Sequence, residues 1–245
     1  MIGFGIGLNL QRGAVSSGPP NIATTIVGTS AGVAAANSIS IPAPSGHAAG
    51  DMLFYGVTTA NTVVTPSGAV TALTIRGNGT AGSNGAQQVS TYWREATSGA
   101  EANQTFTHPV VDLNDYIYGF CIAVRGCPTG LNPVLSEVGL SASVAANPIL
   151  FSAVTPTMNN ARVIEFISNS YDNTIAQFIN EVQAGGVGFT KLFDGGTNIG
   201  SGGGIAAYTW VKTFSGGAAS TSVDCVSGFP AGFGRQSVVT RPGMF

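Results

Sequence analysis

QQVSTYWREATSGAEANQTFTH, residues 87–108, is the stretch that decides the predicted fold. Apolar and polar residues alternate on both sides of a Thr-Ser-Gly sequence, which is typical of two antiparallel strands joined by a turn. The same plan returns as GIAAYTWVKTFSGGAASTSVDC at residues 204–225. A spacing of 117 positions aligns Trp93 with Trp210. The sequence therefore predicts one hairpin design that is used twice.

Further blocks recur in the same order and extend the repeat over most of the chain. DMLFYGVTT at residues 51–59 aligns with RVIEFISNS at 162–170, and YIYGFCIAVRG at 116–126 aligns with FGRQSVVTRPG at 233–243. Sequence rich in Gly, Ser and Thr aligns by chance more readily than most, so the order of the blocks carries more weight than their identity. This order favours a duplicated unit.

The composition is that of a β-protein. The 245 residues include 35 Gly, about twice the average share, and the abundant Ser, Thr and Val favour turns and strands over helices. We predict an all-β fold, a jelly-roll-like antiparallel β-sandwich over residues 21–245. Its two pseudo-repeat halves are expected at about residues 37–126 and 148–245.

One segment, TIAQFINEVQA at residues 174–184, breaks the alternating pattern. Ile175, Phe178, Ile179 and Val182 lie at helical spacing, and two glycines follow the segment. The pattern predicts one short helix near 174–184.

Residues 1–13 have a period of two, with glycines at positions 3, 5 and 7 between the apolar residues. The apolar residues of this segment are Ile2, Phe4, Ile6, Leu8 and Leu10. RGAVSSGPP follows and has the composition of a linker. We predict that residues 1–20 form an extended docking arm and its linker; an ordinary first strand of the domain is the alternative.

Charge is sparse. The chain has 9 Lys and Arg against 11 Asp and Glu, or 8% charged residues, where about 25% is usual. A nucleic-acid surface needs clustered Lys and Arg, so no nucleic-acid partner is predicted. No apolar run reaches the length of a membrane span. So neutral a surface favours contact with neighbouring subunits, and we expect a homo-oligomer.

Two short motifs resemble catalytic or cofactor sites. GTSAG at residues 28–32 matches the nucleophile-elbow pattern around Ser30, but the helix that an elbow requires does not follow. GNGTAG at residues 77–82 matches a dinucleotide-binding pattern but also lacks its helix. His47 and His108 are isolated in the sequence. We predict no catalytic residue, no cofactor and no metal ligand, and an esterase that uses Ser30 is a remote alternative.

Cysteines and loop carboxylates leave two smaller alternatives open. Cys121 is expected to be a core residue, and a Cys127–Cys225 bridge is the less favoured outcome for a protein made in a reducing cytosol. Two pairs of carboxylates would reach a calcium ion only if their loops meet, namely Asp112 with Asp115 and Asp172 with Glu181.

Four aromatic residues lie in or beside predicted loops: Tyr116, Tyr118, Tyr171 and Phe178. Exposed aromatic side chains form platforms for sugars or partner proteins, so these four are candidate surface-recognition residues. Filling of the hydrophobic core is the alternative for each of them.

Several blocks of the sequence carry a family resemblance when they are taken together. They are GDMLFYGVTT, TYWREATSGAE with TFTH, YGFCIAVRG, VTPTMNNARVIEFIS and the terminal VVTRPG. In this order they resemble tailed-bacteriophage virion proteins. Those are jelly-roll-like β-sandwich proteins of tail tips, tail fibres and head decorations. The likeness covers about residues 21–245, with Ala69 at a position where such proteins often carry Trp. The resemblance implies assembly into a virion through other virion proteins, and it implies no catalytic residues.

The predicted function is therefore that of a structural component of a phage virion, located in a tail tip, a fibre or the capsid surface. It would assemble through the N-terminal arm and attach the particle to its host, with a host-surface glycan as a further partner. A carbohydrate-binding module, or a capsid decoration protein without a receptor role, is the alternative.

Overall fold

A computed structural model of the chain describes the backbone of thirteen ranges. They are residues 22–32, 37–60, 64–72, 77–78, 87–108, 117–142, 149–150, 156–169, 178–183, 190–196, 204–211, 221–225 and 233–244. The predicted docking arm and linker, residues 1–20, lie outside the described residues.

The described chain is built of β-strands, as the alternating patterns predict. Those of the first half are β1 (Thr25–Ala31), β2 (Ser38–Ile41), β3 (Met52–Ala60), β4 (Thr65–Pro66), β5 (Thr71–Ala72), β6 (Gly77–Asn78), β7 (Gln87–Glu95), β8 (Gln104–Thr107) and β9 (Tyr118–Arg125). Those of the second half are β10 (Val134–Ala142), β11 (Ile149–Leu150), β12 (Arg162–Asn169), β13 (Phe178–Gln183), β14 (Thr190–Gly196), β15 (Gly204–Val211), β16 (Thr221–Cys225) and β17 (Phe233–Thr240). The all-β class is confirmed.

These strands form four sheets in which neighbouring strands are antiparallel. Sheet 1 has the order β1-β9-β3-β7-β5, with β6 also paired to β7, and sheet 2 has the order β2-β8-β4. Sheet 3 has the order β10-β17-β12-β15-β14, and sheet 4 has the order β11-β16-β13.

The two halves of the chain share one strand order. When the strands along each path are numbered by their position in the chain, sheets 1 and 3 both have the order 1-5-2-4-3. Sheets 2 and 4 both have the order 1-3-2. The distribution of strands between the two sheets of a half also corresponds. In chain order, β1, β3, β5, β7 and β9 of sheet 1 take the places of β10, β12, β14, β15 and β17 of sheet 3, and β2, β4 and β8 of sheet 2 take those of β11, β13 and β16 of sheet 4.

Sheets 1 and 3 contact each other in a reciprocal manner. Strand β7 contacts β17 and β12, and β15, which holds the place of β7 in sheet 3, contacts β9 and β3. When each strand is replaced by its counterpart in the other half, the β7–β17 contact becomes β15–β9 and the β7–β12 contact becomes β15–β3. A contact of this kind has the pattern of a two-fold interface, in which the same patch is used on both sides.

Aromatic side chains fill the space between sheets 1 and 3. The rings of Phe120 and Phe166 lie 5.9 Å apart, and those of Phe120 and Phe193 lie 4.5 Å apart, between centroids. Phe54 belongs to the same buried cluster. Gly56 of β3 leaves room for the ring of Phe166, because a Cβ at residue 56 would lie 2.7 Å from Cδ1 of that ring. The interface between the halves is therefore a continuous apolar core.

The opposite face of sheet 1 packs on sheet 2. Because side chains alternate along β3, Leu53 and Tyr55 point away from sheet 3 and join Ile39 and Phe106 of sheet 2. The Tyr55 and Phe106 rings lie 5.5 Å apart, and the Tyr92 hydroxyl donates to the carbonyl oxygen of Val64 at 2.7 Å. Strand β3 is thus buried on both faces, as its almost unbroken apolar sequence suggests.

The predicted helix near 174–184 is wrong. Residues 178–183 form β13, which pairs with β16 from Phe178 opposite Cys225 to Gln183 opposite Thr221. The apolar spacing that favours a helix is compatible with a strand when a neighbouring strand supplies backbone hydrogen bonds. Among the described residues no helix has the length and hydrophobicity to cross a membrane.

The 117-residue spacing aligns two tryptophans whose opposite residues pack in different clusters. Trp93 lies opposite Phe54, whose side chain faces sheet 3. Trp210 lies opposite Val163, whose side chain belongs to a separate cluster with Val239. The two halves therefore correspond in strand order.

Candidate functional site

Loops and chain ends meet at one end of sheet 1, where β3 begins and β7 and β9 end. We call this region the N-terminal pole; it comprises residues 22–24, 43–51, 95–102, 126–133 and 241–244. Backbone hydrogen bonds join residues 43–51 to residues 95–102, from Gly50 N–H to the Ala96 oxygen and from Ala96 N–H to the Asp51 oxygen, both at 2.8 Å.

A buried carboxylate anchors the pole. Arg125 donates from Nε to Oδ1 of Asp51 at 2.8 Å and from Nη2 to Oδ2 at 2.7 Å, and Ala48 N–H donates to Oδ2 at 2.8 Å. The Asp51 side chain is 3% exposed and that of Arg125 is 51% exposed. Burial by itself would raise the pKa of Asp51, but these hydrogen bonds and the arginine charge hold it below its ordinary value.

The turn after β7 is closed by Glu101. Its Oε1 accepts hydrogen bonds from Thr97 N–H at 2.5 Å, Thr97 Oγ1 at 2.8 Å and Ser98 N–H at 2.9 Å. Its Oε2 lies 3.1 Å from Nη1 of Arg94. Burial opposes ionisation of Glu101, yet these donors lower its pKa. Arg94 also donates from Nε to the Tyr55 hydroxyl at 3.2 Å, which ties the turn to the core.

His47 connects two loops of the pole. Its Nδ1 lies 2.7 Å from the carbonyl oxygen of Pro44, an acceptor, so Nδ1 carries a proton. Its Nε2 is then the acceptor for the Glu101 N–H at 3.5 Å. The imidazole serves as a structural bridge with both nitrogens in use.

The first described residues, the turn after β9 and the C-terminal segment form a three-part junction. Ile22 N–H donates to the Gly243 oxygen at 2.8 Å, and Gly243 N–H donates to the Gly126 oxygen at 2.7 Å. Gly126 has a φ of 90°, and a Cβ on it would lie 2.6 Å from the Ala23 oxygen. This junction depends on glycine both for its backbone conformation and for its close approach.

The second half of the chain reaches the same pole at the start of β12. Arg162 donates from Nη2 to the Thr24 oxygen at 2.6 Å, and Thr24 Oγ1 donates to the Asn160 oxygen at 2.8 Å. The Arg162 guanidinium is largely buried, and this burial lowers its pKa. Both halves therefore begin their central strands at the N-terminal pole.

Two large apolar side chains are exposed among those that the structure describes, and both lie at this pole. Leu131 is 61% exposed and Met244 is 67% exposed. Leu131 belongs to the loop between Gly126 and Pro133. The carbonyl oxygen of Pro133 accepts a hydrogen bond from Arg241 N–H at 2.6 Å. Met244 directly follows the glycine of the junction.

Ser30 does not occupy a nucleophile elbow. It lies within β1, opposite Cys121, and its Oγ donates to the Pro42 oxygen at 2.5 Å. The imidazole of His47 is engaged with Pro44, while His108 is buried and its backbone N–H donates to the Asn37 oxygen at 2.9 Å. This geometry lends no support to the Ser30 alternative.

The four candidate recognition aromatics are not brought together by the described residues. Tyr118 lies on β9, half-buried, with its ring 6.2 Å from that of Phe193 of sheet 3. Phe178 begins β13, opposite Cys225. Tyr116 and Tyr171 lie outside the described residues, as do the arm residues Ile2, Phe4, Ile6, Leu8 and Leu10.

The thiols of Cys121 and Cys127 are free and buried, so a Cys127–Cys225 bridge is not formed. Burial raises the pKa of Cys127 to about 12, against the opposite effect of the Arg162 charge. In the part of the chain that is described, no three His, Cys, Asp or Glu side chains come together as metal ligands would. Of the proposed calcium carboxylates, Glu181 lies in β13 and Asp112, Asp115 and Asp172 lie outside the described residues.

Sequence reasoning missed the N-terminal pole. Asp51 and Arg125 are far apart in the chain, and their pairing follows from the register of β3 and β9, in which Met52 lies opposite Val124. The usable signal was an acid just before one apolar strand and a base at the end of another. Leu131 lies in a connector of irregular sequence, where no periodicity marks it.

Comparison of the chain with protein-family models gives no matching family, and comparison with curated proteins gives no significant match. The interpretation of the pole therefore rests on its geometry. The pole combines two internal ion pairs, a hydrogen-bonded glycine junction and two exposed apolar side chains.

Proposed function

We propose that this chain is a structural component of a phage virion, which joins the particle through residues 1–20 and contributes to host attachment. The observation that carries the proposal is the shared strand order of the two halves. We infer a jelly roll in each half from the orders 1-5-2-4-3 and 1-3-2 of its two sheets, and jelly rolls are common in viral capsid and lectin domains.

The reciprocal contact between sheets 1 and 3 supports the same proposal. We propose that two jelly-roll units arose by duplication and pack through a shared apolar face, with Phe120 and Phe166 at its centre. Building blocks joined by pseudo-symmetric contacts suit an assembled particle, where each chain must present defined surfaces to several neighbours.

The charge distribution fits a protein that is covered in its working state. Asp51 is paired with Arg125 and Glu101 with Arg94, and the chain carries a formal net charge of −2. These two carboxylates are therefore already paired before a neighbour covers this end of the molecule. The virion location, the homo-oligomer and the glycan partner remain part of this proposal.

The experiment is removal of residues 1–13 from the chain during particle assembly. We expect purified particles to lack the truncated protein, whose far-ultraviolet circular dichroism and unfolding midpoint stay those of the full-length chain. A truncated chain that enters particles at the normal level would refute assembly through the arm. A glycan array with the full-length protein tests host attachment, and absence of binding would favour a decoration protein without a receptor role.

A further inference from the structure

We propose that the N-terminal pole is a second contact surface for the virion protein that receives residues 1–20, and that Leu131 and Met244 are its apolar contacts. This inference rests on the proposed function. It adds to the arm a folded surface, at a defined end of the molecule, that the same partner covers.

The position of Ile22 brings the arm and the pole to one place. Residues 1–21 precede Ile22, and Ile22 is fixed to Gly243 by a hydrogen bond of 2.8 Å. Met244 is the next residue after that glycine, and Leu131 lies in the loop that starts at Gly126, the other partner of Gly243. A protein that binds residues 1–20 next to Ile22 is therefore placed to contact both exposed side chains.

Leu131 is held in place on both sides. Gly130 N–H donates to Oε2 of Glu95 at 2.7 Å, and the side-chain oxygen of Asn132 accepts from Val134 N–H at 2.9 Å. The loop is thus ordered before a partner arrives, although its central side chain is 61% exposed. Because the loop is already ordered, less conformational entropy is lost when Leu131 contacts a partner.

The chemistry of the pole indicates the chemistry of the partner. Asp51 and Glu101 already have arginine partners, and the His47 nitrogens are both engaged. Two further charged side chains of the pole, Glu95 and Arg241, are in neither ion pair. The partner surface is therefore a protein surface of low charge with an apolar depression for Leu131 and Met244, as at the core of a protein interface.

The test introduces charge at the two contacts in the full-length chain. Leu131→Asp and Met244→Asp, singly and together, are supplied during particle assembly. We expect the double variant to enter particles at least about tenfold less than the unchanged chain, since a buried unpaired charge is costly. Both residues are exposed, so the unfolding midpoint should not change. Ser38→Asp, at an exposed position at the far end of β2, is the control and should enter normally.

A second measurement covers the case in which a charged variant folds poorly. A photo-activated cross-linking amino acid at residue 131 should form an adduct with one particle protein in assembled virions, and the same residue at position 38 should not. Normal incorporation of the double variant, or adducts that form equally from both positions, would overturn the inference. If either result is obtained while the chain that lacks residues 1–13 still fails to enter particles, the inference about the pole is refuted and the proposed function is retained.

Discussion

The ring of Phe166 lies directly over Gly56, so close that a methyl group on residue 56 would come within 2.7 Å of Cδ1 and 3.0 Å of Cε1. Gly56 belongs to β3 of the first half and Phe166 to β12 of the second. The distance between the two central strands is therefore set at this point by the absence of a side chain.

Gly56→Ala should destabilise the protein by about 1–3 kcal/mol, because the added methyl group overpacks a buried interface. The measurement is urea-induced unfolding followed by circular dichroism. Gly28→Ala is the matched control, since it is also a strand glycine but its Cβ would have no neighbour closer than 3.4 Å. If both substitutions have equal effects, the close approach of Phe166 is not the cause. Phe166→Leu in the Gly56→Ala background should recover part of the loss.

Asp51→Asn should make the free energy of unfolding depend less on pH in the acid range. The folded-state pKa of Asp51 lies below its ordinary value of 3.8, so its ionised form stabilises the fold above about pH 4, and this contribution is lost as the pH falls through the folded pKa. The variant should be less stable at pH 7 and should take up fewer protons on acid unfolding, by up to about one.

The measurement is the free energy of unfolding of the unchanged protein and of Asp51→Asn between pH 2 and 7. Parallel curves of this free energy against pH would contradict the prediction. Glu137→Gln is a suitable control for the general loss of one negative charge.

Buried thiols should react only when the protein opens. Burial raises the pKa of Cys127 to about 12 and also raises the pKa of Cys121, so both thiols stay protonated at pH 8 while the protein is folded. In a Cys225→Ser variant we expect both thiols to react with Ellman's reagent at least about tenfold faster in urea than in buffer. Rapid reaction of either thiol in buffer would contradict the buried arrangement.

Gly126→Ala should cost more than Gly130→Ala. Both glycines have positive φ, at 90° and 68°, so an alanine is strained by about 1 kcal/mol at either position. A Cβ at residue 126 would also lie 2.6 Å from the Ala23 oxygen, whereas nothing lies within 4 Å of one at residue 130. The difference between the two unfolding free energies measures this contact, and equal values would show that the junction can shift without cost.

The strands of the first half follow from sequence because their apolar residues are buried by neighbours close in the chain. DMLFYGVTT predicts β3 to within one residue, and the turn at residues 96–101 separates β7 from β8 as expected. The segment around Phe178 could not be assigned in this way. Its local pattern and its Gln and Glu residues favour a helix, and only the later strand β16 provides the pairing that makes it a strand.

The candidate site is less predictable, because the contacts that build it are distant in the chain. Asp51 and Arg125 meet only when β3 and β9 pair, and Ile22 meets Gly243 only when both ends of the chain have folded. A Leu in an irregular connector carries no pattern that distinguishes a contact residue from any other exposed residue.

The reciprocal packing of sheets 1 and 3 has a consequence for how this molecule can change. In a dimer of identical chains every substitution is made twice, so a residue that suits one side must suit the other. Here the two sides are encoded separately, and a bulky ring in one half can be matched by a bare backbone in the other. Because both halves lie in one polypeptide, their outer surfaces need not be identical, and the molecule can carry two different faces on one architecture.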